Sequence, residues 1–406
     1  MKKIVFLLLP LFLFSTSLQT LLKQVQNSNL SKAKSYEVLS NALKLQSAKK
    51  APLPKVLLNL NAQNLNPKSP FTPGTIYSAS IILNYTIFDG GKKRAQITQK
   101  RFLLASSTFE RSFFVKNLKL QVIKLFFDIK TLDALKKVYL EKERLLSKKL
   151  AQLKKLYQNG LSTKDNLLSL QAALQENRFN LQNIAYQKKS LLFALKTLLN
   201  QKISHLGKGY LLKQNVAFKP NKEVLALKAK ALALFATAKG INAAKMPQVT
   251  LQASISKFAY NRSDLLHPKG INSQSKIALN ASYLLLDNNE ITFKSQASKA
   301  KAMALMIQAK QKLIEQKNNF LLAKEKIALI RNKIKTQKVR LKSTKALLNS
   351  QSQKFNSGLV DYVSYLEALT NYTLAKAKLQ KAYNELEIAY ALYYFYSGKK
   401  LERFVK

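Results

Sequence analysis

Apolar and polar positions change period several times along this chain, and the changes come in the same order twice. Leu58, Leu60 and Ala62 alternate with Asn59, Asn61 and Gln63, the period of two that a strand with one wet face requires. A second alternating stretch sets Tyr77, Ala79, Ile81, Leu83, Tyr85 and Ile87 against Ser78, Ser80, Asn84 and Thr86, and it stops abruptly at Asp89-Gly90-Gly91. In the second half Val249, Leu251, Ala253 and Ile255 alternate with Gln248, Thr250, Gln252 and Ser254. Ile277, Leu279, Ala281, Tyr283 and Leu285 then repeat the pattern up to Asp287-Asn288-Asn289. The spacing predicts four strands of about ten residues, the length a tilted transmembrane strand needs.

Beyond each Asp the period becomes helical. The polar, amphipathic stretch from Asp89 to Asn159-Gly160 is as long as the one from Asp287 to Ser357-Gly358, so the two helices reach equal heights. Ile327, Ile334, Leu341, Leu348 and Phe355 recur at every seventh position, the seam of a left-handed coiled coil. Leu146, Leu150, Leu153 and Tyr157 predict a looser seam in the first half. Gly160 and Gly358 stop these helices, and shorter returning helices follow. A helix also precedes each strand pair. Leu225, Ala229, Leu232 and Ala236 mark one face of the second, which Pro247 ends. Pro52 and Pro54 end the first, which, counted from Glu37, is expected to be shorter by about two turns. The descending helix over 92–157 would span roughly 100 Å, the returning helix over 163–198 ~54 Å, and the pre-strand helix over 221–245 ~37 Å. One long helix therefore matches two short ones stacked end to end.

This organisation predicts a signal peptide at 1–17, a first repeat at 18–205, a linker at 206–220, a second repeat at 221–400 and a tail at 401–406. The leader reading rests on two N-terminal lysines, a short apolar run and small residues at Ser15 and Ser17 that suit cleavage after Ser17. In 406 residues there are only 10 Gly, 9 Pro and no Trp, too little turn punctuation for a many-stranded soluble fold. With no Cys, disulfides, thiolate metal sites, Cys catalysis and an acylated N-terminal Cys are all excluded. The formal charge of +49 raises the possibility of a nucleic-acid partner. The basic residues are overwhelmingly Lys, however, and are spread along helices rather than clustered with aromatics. No nucleic-acid partner is expected.

Candidate chemistry is sparse. His205 and His267 lie in different segments, without a carboxylate or a second His at ligand spacing. Glu141/Glu143 and Glu385/Glu387 are two apart on helices and read as solvated faces. Asp-Gly-Gly-Lys-Lys lacks the longer spacing of a phosphate loop. Neither an enzyme nor a cofactor is indicated.

The segments IFDGGKKRA, PQVTL from Pro247, YQNGLSTKDNLL and FNSGLVDYVSYLEA, in this order and at this repeated spacing, resemble those of TolC-type outer-membrane efflux proteins. The resemblance covers essentially the whole mature chain. It implies a mixed fold: long α-helical coiled-coil hairpins, two internal repeats, and four strands per protomer given to a twelve-stranded transmembrane β-barrel in a homotrimer. The function implied is that of an outer-membrane exit duct in a tripartite efflux or type I secretion system, extending into the periplasm of a Gram-negative bacterium. The implied partners are a periplasmic adaptor (membrane fusion) protein, an inner-membrane pump of the RND or ABC type, and outer-membrane lipid.

By the same resemblance, Asn159, Gly160, Leu161, Ser357, Gly358 and Leu359 are adaptor-docking tips. Asp89, Gly90, Gly91, Asp287, Asn288 and Asn289 are barrel-to-tunnel turns. Ser364 and Glu367 fall where family members carry acids at the tunnel entrance, so one acid is replaced here, with Asp361 nearby. Asp165 and Asn166 match positions that hold the entrance closed. The competing expectation is a soluble periplasmic Lys-rich coiled-coil scaffold or polyanion-binding protein.

Overall fold

The computed structural model describes residues 16–66, 74–201, 203, 205–260, 272–357, 359–360 and 362–406. Most of the expected leader, His267, Gly358 and Asp361 lie outside the described residues. The chain forms α1 (Leu18–Gln24), α2 (Asn29–Lys50), β1 (Lys55–Asn64), β2 (Thr75–Phe88), α3 (Lys92–Gln158) and α4 (Lys164–Leu199). It continues with α5 (Lys222–Asn242), β3 (Gln248–Tyr260), β4 (Ser273–Ser282), α6 (Glu290–Asn356) and α7 (Tyr362–Tyr396). Both α3 and α6 contain 67 residues. The element order of α2 to α4 thus recurs in α5 to α7.

Two compact units emerge, each drawing on both halves of the chain. The first comprises residues up to Ser35, Arg111–Lys222 and Lys312–Lys406. Its main core joins Leu18, Leu21 and Leu22 of α1 to Val122, Ile123, Phe126 and Ile129 of α3, with Leu195 and Leu199 of α4, Ile327, Ile330 and Ile334 of α6, and Tyr390 and Tyr394 of α7. A smaller cluster joins Leu146, Leu153, Leu170, Leu174, Tyr365 and Leu369. The heptad positions of α6 supply the seam: Ile327 and Ile334 are buried, and Leu341, Leu348 and Phe355 pack against the two clusters. The first-half seam needs one correction. Tyr157 is 39% exposed, and Leu156 packs in its stead, since an apolar side chain has no hydroxyl to keep wet.

In the same unit residues 205–212 are held on two sides. Thr16 N–H donates to His205 O and Gly207 N–H to Thr16 O. Tyr210 and Lys406 exchange backbone hydrogen bonds of 2.9 and 3.0 Å, and Phe404 stacks on Tyr394.

The second unit, Tyr36–Glu110 with Glu223–Gln311, contains the sheet. Its order is β1-β2-β3-β4, antiparallel throughout. The register aligns Leu58, Ile81 and Ile255, so the apolar positions of both halves share one face. Strand β4 ends at Ser282, paired with Gln248, so Tyr283 and Leu285 lie past the ladder, against expectation. Pro247 precedes the first residue of β3 and has no N–H to extend the pairing. The pre-strand helices also correct the sequence reading, because α2 has 22 residues and α5 has 21. The expected shortness of the first came from starting at Glu37. The helix starts at Asn29, where the Ser28 hydroxyl accepts the Ser31 N–H. Small residues Ala226, Ala229, Ala233 and Ala236 bury one stripe of α5. They let neighbouring helices approach closely enough for Ser106 and Ser298 hydroxyls to donate to its carbonyls at Ala226 and Leu234.

Candidate functional site

The two strand-to-helix corners are built identically from different residues. Asp89 accepts the N–H of Gly91 at 3.0 Å and of Lys93 at 2.9 Å; Asp287 accepts those of Asn289 and Ile291, both at 3.1 Å. Each carboxylate thereby satisfies free donors at the start of a 67-residue helix and meets the positive end of its dipole. The backbone turns through left-handed angles, φ +63° and +90° at Gly90 and Gly91, and +45° and +65° at Asn288 and Asn289. Asn tolerates this region better than most side chains. Gly90 has a second constraint: a Cβ there would lie 2.5 Å from Met246 Cβ and 2.6 Å from Ala243 O.

The sheet between these corners has two unlike faces. Tyr77, Ala79 and Ile81 are exposed while Ser78, Ser80 and Ile82 between them are half-buried; Ile255, Lys257 and Ala259 are exposed while Ser254, Ser256 and Phe258 are half-buried. In these parts of β2 and β3 the apolar face is the more open to solvent. On the inner side the Ser80 and Ser256 hydroxyls meet at 2.8 Å. Strands β1 and β4 are the edges, neither paired on its outer side among the described residues, and nearly every residue in both is exposed. No described helix is long and apolar enough to cross a membrane.

At the first hairpin tip Leu161 N–H donates to Leu156 O at 2.8 Å and Gly160 N–H to Tyr157 O at 3.1 Å, with Gly160 at φ +72°. Those two bonds close the helix as a Schellman turn. At the second tip Leu359 N–H reaches Lys354 O at 2.9 Å and Ser357 N–H reaches Gln353 O at 3.0 Å. Leu161 and Leu359 are 72% and 74% exposed, two apolar side chains set in water at equivalent points of the two turns. Asn159 is exposed beside the first. Asp165 lies exposed in the first turn of α4, which Thr163 caps by accepting from Asn166 N–H, and Asn166 is half-buried. On α7 Ser364 is half-buried and Glu367 exposed.

Several contacts were not anticipated. The Lys149 ammonium lies 4.9 Å from the Phe355 ring centre and 5.5 Å from that of Tyr365, and donates to Asn356 Oδ1 at 2.8 Å. Burial lowers the Lys149 pKa. Lys376 pairs with Glu141, and Arg178 with Glu143 at 3.0 Å. Lys333 pairs with Glu385 at 2.7 Å. Glu387, expected on a solvated face, is largely buried and accepts the Leu211 N–H at 2.7 Å, with Lys213 at 3.6 Å. Its signal would have been an acid amid the apolar run of α7. Near the C-terminus Lys116 donates to Phe395 O at 2.6 Å and sits over that ring at 4.9 Å. Burial brings its pKa down to about 8, against the opposing pull of Glu402. Burial would raise Glu402, but its pairing with Lys119 holds it below the usual carboxylate value. His205 is exposed, and no group of residues able to hold a metal occurs among the described residues.

Residues 21–201 match the model of the outer membrane efflux protein family. No curated protein sequence matches the chain. Among solved structures, the outer membrane protein VceC of Vibrio cholerae superposes with a TM-score of 0.82 at 15% identity, over 95% of this chain and 96% of that one. The CmeC outer membrane channel of Campylobacter jejuni gives a TM-score of 0.84 at 15% identity, over 94% and 85%. The MtrE outer membrane channel of Neisseria gonorrhoeae, in its open state, gives 0.81 at 14%, over 95% and 90%. The first-half match and a fold shared along nearly its full length make the chain similar to the outer membrane efflux protein family.

Proposed function

We propose that the protein is the outer-membrane exit duct of a tripartite efflux or type I secretion system, a passive passage through which a pump in the inner membrane drives its cargo. The observation that carries this reading is the sheet. It has one apolar face and two edges unpaired among the described residues, in a chain with no described helix able to cross a membrane. Unpaired backbone groups cannot face lipid, and four strands cannot close around a lumen. Three copies joined edge to edge remove both problems with twelve strands. The exposed Leu161 and Leu359 suit the docking of a periplasmic adaptor's helices, and the exposed Glu367 with the Asp165–Asn166 turn suits the entrance.

Membrane fractionation followed by electrophoresis of unheated and heated samples tests the assignment. The expected result is recovery in the outer membrane as a trimer that heat converts to monomer, and stepwise conductance when the trimer is added to a planar bilayer. Recovery as a soluble periplasmic monomer would instead establish the Lys-rich scaffold.

A further inference from the structure

The apolar face of the sheet changes character along its length. Outward positions of β3 run Val249, Leu251, Ala253 and Ile255 from the helix-proximal end, and the next is Lys257. The register sets Lys257 beside Ala79 of β2 and opposite Ser273 of β4, with Tyr77 and Ala259 forming the next outward pair. Lys257 is exposed, and Leu60, Ala62, Tyr77 and Ala79 join it in lining a shallow groove of about 620 Å³. The ammonium and two hydroxyls thus share the end of the face farthest from the helices, and the four strands contain no Asp or Glu.

An ammonium on the lipid side of a barrel costs roughly 2–4 kcal/mol at the bilayer midplane and about 0–1 at its rim. Distance along the strand fixes which applies. Val249 to Lys257 covers ~26 Å along the strand, which at a ~40° tilt is roughly 20 Å of membrane height, most of the ~25 Å apolar band. Tyr85 and Tyr77, also eight residues apart on this face, pair with Leu251 and Ala259, so the outer aromatic ring lies one outward position beyond Lys257. Lys257 therefore lies just inside the outer rim, which its long side chain can reach, and there the lipid of a Gram-negative outer membrane is a phosphorylated, acylated disaccharide.

We propose that this groove binds the phosphate of outer-leaflet lipid A, with Lys257, Tyr77 and Ser273 as donors and an acyl chain along Leu60, Ala62 and Ala79. The site rests on the outer-membrane placement of the sheet. A charge-assisted contact to phosphate is a strong hydrogen bond, and its loss reads as about a tenfold weaker occupancy.

Purified trimer is titrated with lipid A and its lipid adducts are counted by native mass spectrometry. K257Q is expected to lower occupancy about tenfold, while K276Q, whose side chain is on the polar inner face, leaves it unchanged. Dephosphorylated lipid A should bind wild type and K257Q equally. Undiminished binding by a membrane-inserted K257Q trimer overturns the site alone, as does displacement of lipid A from wild type by phosphatidylglycerol. A soluble monomer would overturn the duct and the site together.

Discussion

Replacing Gly90 by Ala tests whether the strand-to-helix corner is set by backbone angle or by close approach. At φ +63° an L-residue costs about 1–2 kcal/mol. The added methyl would also lie 2.5 Å from Met246 Cβ and 2.6 Å from Ala243 O. Both are too near the backbone for a rotamer change to relieve, and such overpacking costs a further ~1–3 kcal/mol. The total is about 2–5 kcal/mol per protomer. Gly91→Ala supplies the control: its φ is +90°, yet a Cβ there meets nothing within 4 Å, so only the backbone penalty applies. At roughly 2–4 °C per kcal/mol, Gly90→Ala should lower the thermal midpoint by about 4–20 °C and Gly91→Ala by about 2–8 °C. The midpoint is read as loss of the heat-modifiable trimer band. Met246→Ala should not rescue Gly90→Ala, because the clash is with Cβ and a carbonyl. Equal midpoints for the two glycine variants would refute the close-approach argument and leave backbone angle as the only constraint.

Lys116 has a depressed pKa of about 8 in the folded chain against 10.5 unfolded, so folding penalises its charged form below pH 8 and the penalty fades as pH rises towards 10.5. Wild-type stability to denaturant should gain up to roughly 3 kcal/mol relative to Lys116→Gln across that window, and parallel pH curves would exclude the effect. Leu161→Asp with Leu359→Asp should leave trimer assembly intact while abolishing cross-linking to the adaptor; full export by the double variant would show that the tips are only turns. In planar bilayers under a salt gradient we expect weak anion preference, reduced by Lys55→Gln with Lys276→Gln, because both lysines occupy polar-face positions of strands that contain no acid. Cation selectivity that vanishes in Glu367→Gln would place control at the entrance instead.

Where a side chain's partner is near in sequence or repeats with a fixed period, the sequence is readable. The alternation of Tyr77 to Ile87 and the heptads from Ile327 to Phe355 each report one local periodicity; the heptad positions pack as it requires, and the strand alternates in exposure from Tyr77 to Ile82 before the pattern breaks towards the irregularity at Thr86–Phe88. The start of α2 was obscured because Ser28 caps it from a stretch rich in other hydroxyl and amide residues, any of which reads as a start. Lys149 was invisible for a different reason. Its ring partners, Phe355 and Tyr365, lie about two hundred residues away, and one Lys among many carries no mark of burial. Glu387 was half legible: an acid amid the apolar run of α7 marks it, but its partner is a backbone N–H at Leu211, which no side-chain pattern encodes.

The scarcity of acids gives these contacts a common logic. The chain has 20 Asp and Glu against 69 Lys and Arg, so a lysine that loses its place leaves the surface charge almost unchanged, whereas each carboxylate is hard to replace. The structure sets many of them at junctions: Asp89 and Asp287 at the corners, Glu141 and Glu143 between helices, Glu387 on a loop amide and Glu402 beneath the C-terminus. In the four strands, where backbone pairing already fixes the geometry, there are none. Charge on the sheet's inner face is therefore basic by construction, while the carboxylates are reserved for places where a helix begins or two elements meet. A lumen with this bias follows from where the fold needs acids, and it requires no separate selection for the charge of the cargo.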